Sequence, residues 1–490
     1  MGTATDLQHL LRVYWSLLLG NMLEWYEFAV YGYLEVYLAK NFFSGSVLAT
    51  WLGFATAFLA RPLGGLFLGL VGDTFGRSAS VNISIVGMLV GTVGQGLIPS
   101  FLWPVANSTW VGHLGLVLLV LLRILQGLCT GGEISAVSTY ITEVGPPKAL
   151  GRSIAFIAIT ANLGFLSARA VVYVMVKLLG EEQMMQWGWR IPFLLALLPG
   201  LIAMVGRREM PESEAFLERK AAAEQEVTNE ESFSDEGSNT GSSADECSKP
   251  QTSTLSVVKV LFRSHPHAVL VGIGCTVSCS VFQYGGFVWG HSFLKARGAS
   301  EETLLLSGVI AKLLHCLLAL PVGWLADVRG VGWVTLVGAG AMMVAGVPLW
   351  MSLQSNPTDS TVVLVTYGVG YGLLGSLTGT VFFLFVVELF PIALRNMGVG
   401  VSYNLGVAIF GGFAPFLAQV SLESCWLGPG ILYSAGGLVT LVTILWGIRL
   451  QRRGILRLAH VRPEPYFGSW AWAAGAKGAD GSGAASDSSA

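Results

Sequence analysis

Mainly apolar stretches of roughly twenty residues or more, each closed by a short polar break, recur twelve times along the chain. Six run near 11–38, 47–71, 79–99, 112–138, 152–178 and 190–206, and six more near 267–294, 303–325, 333–353, 361–388, 396–420 and 428–450. An α-helix rises about 1.5 Å per residue, so runs of this length cross a hydrocarbon core about 30 Å thick. The pattern predicts an all-α membrane protein of twelve transmembrane helices, arranged as one six-helix bundle over 1–206 and another over 265–453. The stretch between them, 207–264, is rich in Glu, Ser, Asn, Thr and Gly, above all from Glu224 to Lys249. Such a composition cannot bury enough apolar surface to fold alone and reads as a disordered cytoplasmic linker. The segment 454–490, ending in Gly, Ala and Ser, reads as a disordered cytoplasmic tail.

Composition narrows the class. Of 490 residues, 53% are hydrophobic and 12% charged, against about 25% charged in an ordinary soluble domain. A typical cytosolic enzyme is excluded. The formal charge of −2 gives no bulk positive field, so nucleic acid is set aside as a partner; the partners expected are a small-molecule substrate and the lipid bilayer. The sequence contains no phosphate-cradling G-x-x-x-x-G-K-[ST] loop and no H-E-x-x-H pair, so it offers neither ATP-driven transport nor a zinc hydrolase. Its six cysteines show no metal-site spacing, and its seven histidines are scattered. No metal, cofactor or enzymatic activity is expected. Lys and Arg collect in breaks of one parity, at Arg77, Lys148, Arg152, Arg395, Arg449 and through the linker, which places both termini on the cytoplasmic side. The plasma membrane is the default location, and the chain is expected to work as a monomer.

An internal repeat is legible without any alignment. The second span ends in Gly69-x-x-x-Asp73-x-x-Gly76, followed by Arg77, and the eighth ends in Gly323-x-x-x-Asp327-x-x-Gly330, 254 positions later. The fourth leads to Glu143, Pro146 and Arg152, the tenth to Glu388, Pro391 and Arg395, an offset of 245. Matching loops at matching places in two halves describe a secondary transporter with its substrate site between them.

Polar residues inside the spans mark candidate chemistry. The first carries Asn21, Glu24, Glu27 and Tyr31 roughly on one helical face. A charge at bilayer depth costs about 2.5–3.5 kcal/mol even on lenient scales, so these carboxylates should face a cavity or a partner. The fourth span carries a second stripe, Arg123, Gln126, Thr130 and Glu133, beside a Gly127/Gly131 pair that lets a neighbouring helix approach. Glu27, Glu133 and Glu24 are proton-site candidates. Arg123 suits a substrate carboxylate, which it can hold through two parallel hydrogen bonds. Arg61, Arg169 and Lys312 add cations at membrane depth; with Arg123 they make four against three carboxylates, an excess of one that favours an anionic solute, and Arg169, Lys312, Gln126 and Tyr31 are further candidates for holding it. Gln283, Tyr371 and Asn404 are pocket-shaping candidates.

These residues resemble the major facilitator superfamily, in its metabolite:proton symporter branch. The resemblance rests on Gly20-Asn21 through Phe28, Arg61-Pro62-Leu63-Gly64-Gly65, Gly69 to Arg77, Arg123 to Glu133, Trp189 to Phe193, and Glu388 to Gly406. It covers nearly all the membrane spans. The branch resembles permeases for proline and betaine, 2-oxoglutarate, citrate and shikimate, and implies uptake by alternating access with the proton as coupling ion. The resemblance also implies that Asp73 and Arg77 form a conformational latch, joined by Asp327, Glu143, Arg152, Glu388 and Arg395. Two departures stand out: Val331 follows Gly330 where an arginine is expected, and Arg169 occupies a position usually small. The solute expected first is a small organic acid, with a proline- or betaine-type zwitterion as the alternative. A uniporter and a non-transporting sensor are further readings.

Overall fold

The computed structural model describes residues 3–75, 77–102, 109–207, 254–391 and 394–456. Twelve long helical elements run through it: α1 (Thr3–Tyr33), α2 (Val47–Phe75), α3 (Arg77–Leu97), α4 (Trp110–Glu143), α5 (Leu150–Gln186), α6 (Gly188–Arg207), α7 (Pro266–Ala296), α8 (Glu301–Arg329), α9 (Val331–Ser355), α10 (Ser360–Glu388), α11 (Arg395–Ser424) and α12 (Gly428–Arg452). All but α1 meet the length and apolarity needed to cross a membrane over described residues, and α1 has 31 residues. Helices start and stop within a few residues of the polar breaks, because those breaks carry the only groups that water must reach.

Two details differ from the expected organisation. Arg207, counted as the first linker residue, is the last residue of α6 and is buried. Thr254–Ser264, at the far end of the expected linker, is a helix packed against α7. It is amphipathic, with Leu261 buried and Lys259 and Arg263 exposed, and it lacks the Ser- and Glu-rich composition that defines the stretch before it. Residues 208–253 and 457–490, where the linker and tail expectations mainly fall, lie outside the described residues.

The halves meet along α5 against α8 and α2 against α11. Exchanging each helix for its equivalent six places away, α2 for α8 and α11 for α5, turns the second pair into the first, so the interface repeats the internal duplication. Close approach within the N-terminal half depends on glycine. A Cβ on Gly127 would lie 1.9 Å from the Ala57 carbonyl oxygen, and one on Gly131 would lie 2.1 Å from that of Arg61. The expected small-residue seam of α4 is thus filled by α2. Between the halves, Gly151 of α5 and Gly323 of α8 touch backbone to backbone: a Cβ on either would lie 2.3 or 2.6 Å from the other's carbonyl oxygen.

Candidate functional site

Glu24 and Glu27 lie one turn apart on α1 and both are fully buried. Their surroundings differ. Glu24 forms an ion pair with Arg61 of α2 through Oε1 and Nη2, leaving Glu24 Oε2 and Arg61 Nη1 without partners. The Arg61 Nε donates to Asn404 Oδ1 of α11 at 3.3 Å, and the Asn404 amide donates to the Gly131 carbonyl. Asn404 therefore ties the C-terminal half to a charged pair held by the N-terminal half. Rings enclose the pair: the guanidinium carbon is 5.2 Å from the Phe28 centroid, 5.7 Å from Phe58 and 5.6 Å from Tyr403. Tyr284 of α7 packs 4.8 Å from Phe58 and stacks on Trp25 at 6.3 Å. The hydroxyls of Tyr284 and Tyr403 also lack partners. Asn21 points toward α5, donating to the Ile157 carbonyl at 3.0 Å and Thr160 at 2.8 Å, while its Oδ1 accepts from the Trp25 indole at 3.1 Å. It orients Trp25.

Glu27 belongs to a second, neutralised chain. Its Oε2 accepts from Gln126 at 2.9 Å, and Oε1 is unpartnered. Gln126 also donates to Thr92 at 3.0 Å and accepts from Arg123 at 2.7 Å. A single amide thus separates the carboxylate from the guanidinium. Arg123 further donates to the Phe54 carbonyl at 3.0 Å and lies 4.4 Å over the Tyr31 ring, whose hydroxyl donates to the Thr50 carbonyl. Both terminal nitrogens of Arg123 are occupied. Its Nε is unpartnered, as is Nη1 of Arg61.

Glu133 is held elsewhere. It pairs with the buried Arg207, and its Oε2 accepts from Ser84 at 2.9 Å, while Arg207 also donates to the Val81 carbonyl at 3.1 Å. This pair binds α6 to α3 and α4. Lys312 of α8 lies 3.7 Å from the Phe287 centroid and 4.4 Å from Phe165, donating to Gln283 at 3.3 Å. Tyr371 sits in an aromatic cluster with Phe282 at 4.8 Å and Tyr367 at 5.3 Å. Arg169 donates to the Leu304 carbonyl at 2.6 Å and to the Tyr367 hydroxyl at 3.2 Å. Lys312 and Arg169 both face the boundary between the halves.

Of the loop residues, Asp327 has the clearest setting. Its Oδ1 accepts from the Gly151 amide at 2.7 Å, and Oδ2 accepts from Arg152 Nε at 2.9 Å and the Arg152 amide at 3.3 Å. A carboxylate at the N-terminus of α5, beside an arginine, is stabilised by the helix dipole and by ion pairing. Arg395 is buried within the electrostatic reach of Glu143 and Glu388. The equivalent first-loop set, Gly69, Asp73, Gly76 and Arg77, lies outside the residues described at side-chain level.

The partners Ser84, Thr92 and Arg207 escaped the sequence reading. Arg207 stands at the end of an apolar run and directly before Arg208, a position that looks like the start of a basic loop. Ser84 and Thr92, as single hydroxyls in an apolar span, carry no signal of their own.

Comparison with known proteins gives a consistent picture. Residues 14–451 match the family model described as sugar (and other) transporter. The chain is 30% identical over 419 residues to the ectoine/proline transporter of Corynebacterium glutamicum, covering 83% of this chain and 77% of that protein. It is also 30% identical over 413 residues to the proline/betaine transporter of Escherichia coli, with 83% and 76% covered. Among solved structures, the major facilitator proton:xylose symporter XylE bound to 6-bromo-6-deoxy-D-glucose aligns with a TM-score of 0.68 at 19% identity, over 91% of this chain and 96% of that one.

Proposed function

The chain belongs to the sugar (and other) transporter family of the major facilitator superfamily, and on that premise we propose that it carries a proline- or betaine-like zwitterion across the membrane together with a proton. It is a multi-pass integral membrane transporter rather than an enzyme. The observation that carries the substrate reading is the Glu24–Arg61 pair, buried among Phe28, Phe58 and Tyr403 with one free polar atom on each partner. A zwitterion satisfies both at once. Its carboxylate takes the open Arg61 nitrogen, and its cationic end takes the free Glu24 oxygen and the ring faces, which attract cations through their quadrupoles. A di- or tricarboxylate would bring excess negative charge against Glu24 and Glu27, both fully buried, where charge repulsion is weakly screened. Relatives named for proline, betaine and ectoine support the zwitterion over the organic acid that the sequence favours.

Glu27 is the coupling carboxylate in this reading. Its unpartnered Oε1 is where a proton adds, and Gln126 holds the other oxygen in place in either state. Arg123 supplies the standing countercharge through Gln126. Glu133 is assigned a structural part, since Arg207 and Ser84 occupy both its oxygens.

The test is transport in proteoliposomes with an imposed proton gradient and a pH dye inside. Proline or glycine betaine should bring protons in, while citrate and 2-oxoglutarate should not. Proton entry with citrate and none with either zwitterion would restore the organic-acid reading.

A further inference from the structure

Away from the Glu24–Arg61 centre, three helices direct unpartnered polar atoms toward one cavity. It is a small open pocket between the halves, lined by Tyr33 of α1, Arg169 and Tyr173 of α5, His291 and Lys295 of α7, and Glu301 of α8. Glu301 begins α8 and Asp327 nearly ends it, so the cavity stands at the end of the molecule opposite the Asp327–Arg152 contact. Tyr33 follows Glu24 by nine residues, about 13 Å along the helix axis. The two places are separate.

Arg169 is the uncompensated charge there. Its side chain is buried, its Nη1 and Nη2 donate to Leu304 and Tyr367, and its Nε has no partner. Among the described residues no carboxylate lies within ion-pair distance of it. Lys295 is engaged, 2.9 Å from Glu301 and 3.4 Å from Glu181. The Tyr33 ring lies 4.7 Å from the guanidinium and 5.1 Å from the His291 ring, and both the Tyr33 hydroxyl and His291 Nδ1 are unpartnered. Gly308 makes the room: a Cβ there would lie 2.1 Å from Arg169 Nη1. A guanidinium buried at an interface without a countercharge is costly unless a ligand supplies one.

The geometry points to a second carboxylate-binding station, in which Arg169, Tyr33 and His291 hold the carboxylate of a small solute on its way to or from the Glu24–Arg61 centre. Arg169 presents the anchoring donor, and Tyr33 and His291 complete the oxygens' hydrogen bonds. The carboxylate station does not depend on the zwitterion reading.

Equilibrium dialysis of the purified full-length chain in lipid nanodiscs against labelled proline counts the stations. The wild type should bind two molecules per chain, and Arg169→Gln and Arg61→Gln one each. One molecule in the wild type, or two in Arg169→Gln, overturns the station. If the wild type binds no proline, the zwitterion reading fails, and saturation-transfer NMR with acetate then decides the station by itself. An acetate signal that disappears in Arg169→Gln and persists in Arg61→Gln supports it; a signal that persists in Arg169→Gln overturns it. Should Arg169→Gln fold poorly by size exclusion, Gly308→Ala displaces the same guanidinium without removing it and should give the same loss, and unchanged binding in that variant counts against the station.

Discussion

The two halves bring different chemistry to one centre. The N-terminal half contributes the charges, Glu24 and Glu27 from α1, Arg61 from α2 and Arg123 from α4. The C-terminal half contributes Tyr284, Tyr403 and Asn404, which are rings and an amide. Their backbones differ in the same sense. Among the described residues, π-helical turns occur in α7 (Val281–Trp289), α10 (Leu364–Gly370) and α11 (Val407–Gly411), all in the C-terminal half. π-turns interrupt the regular hydrogen-bond ladder and concentrate at functional places. Charges need a fixed geometry, because a displaced buried ion pair loses far more than a displaced ring. The half that brings charge to the centre has its breaks at Gly131–Gly132 and Gly180, and the half that supplies the ring wall carries the π-turns.

Removing one charge breaks the contrast most severely. Arg61→Met leaves Glu24 buried and unpaired, which costs about 3–5 kcal/mol; uptake should vanish, and the thermal transition should drop markedly. The pair Glu24→Gln/Arg61→Gln should regain much of the stability without regaining uptake, separating the fold from the site. Next comes Glu27→Gln. Proton-driven accumulation should fall about 100-fold, while exchange of labelled for unlabelled solute across the membrane persists, since exchange needs no net proton movement. Equal loss of both would place Glu27 in solute binding instead.

Asp327→Asn weakens the contact with Gly151 and Arg152 without touching the centre. It should shift apparent solute affinity by about 5- to 10-fold through the balance between conformations, read from binding and uptake on the same preparation. The smallest effect probes the ring wall. Tyr284→Ala should weaken binding about 5-fold, the equivalent of about 1 kcal/mol of cation–π attraction, whereas Tyr284→Phe keeps the face and should be nearly silent. A large loss in Tyr284→Phe would move the role to the hydroxyl.

The helices were legible because water and lipid sort residues along the chain, and that sorting leaves a one-dimensional trace. The apolar seam at Gly127 and Gly131 was legible for the same reason. The ion pairs were not. Glu24 is 37 residues from Arg61, and Glu133 is 74 from Arg207; which carboxylate meets which cation depends on how helices are arranged around the bundle. Arg123 stands out in the sequence as a carboxylate binder by its place in a polar stripe; its hydrogen bonds to Gln126 and the Phe54 carbonyl are not legible there. Arg61 reads in the sequence as a cation at membrane depth, with nothing to name Glu24 as its partner. Asp327 stood out in the sequence because the helix end where it sits belongs to a loop pattern that the chain repeats.

The backbone contact of Gly151 with Gly323 has a mechanical consequence. Where two helices touch glycine to glycine, little need repack as one rolls over the other, so this point can serve as a bearing between the bundles once the Asp327 contacts with Gly151 and Arg152 release. A methyl group on Gly323 would act as a wedge, 2.6 Å from the Gly151 carbonyl oxygen, prising that end apart while leaving every solute-facing atom in place. Gly323→Ala would then offer a way to hold the transporter with one mouth ajar, for imaging it in a single posture.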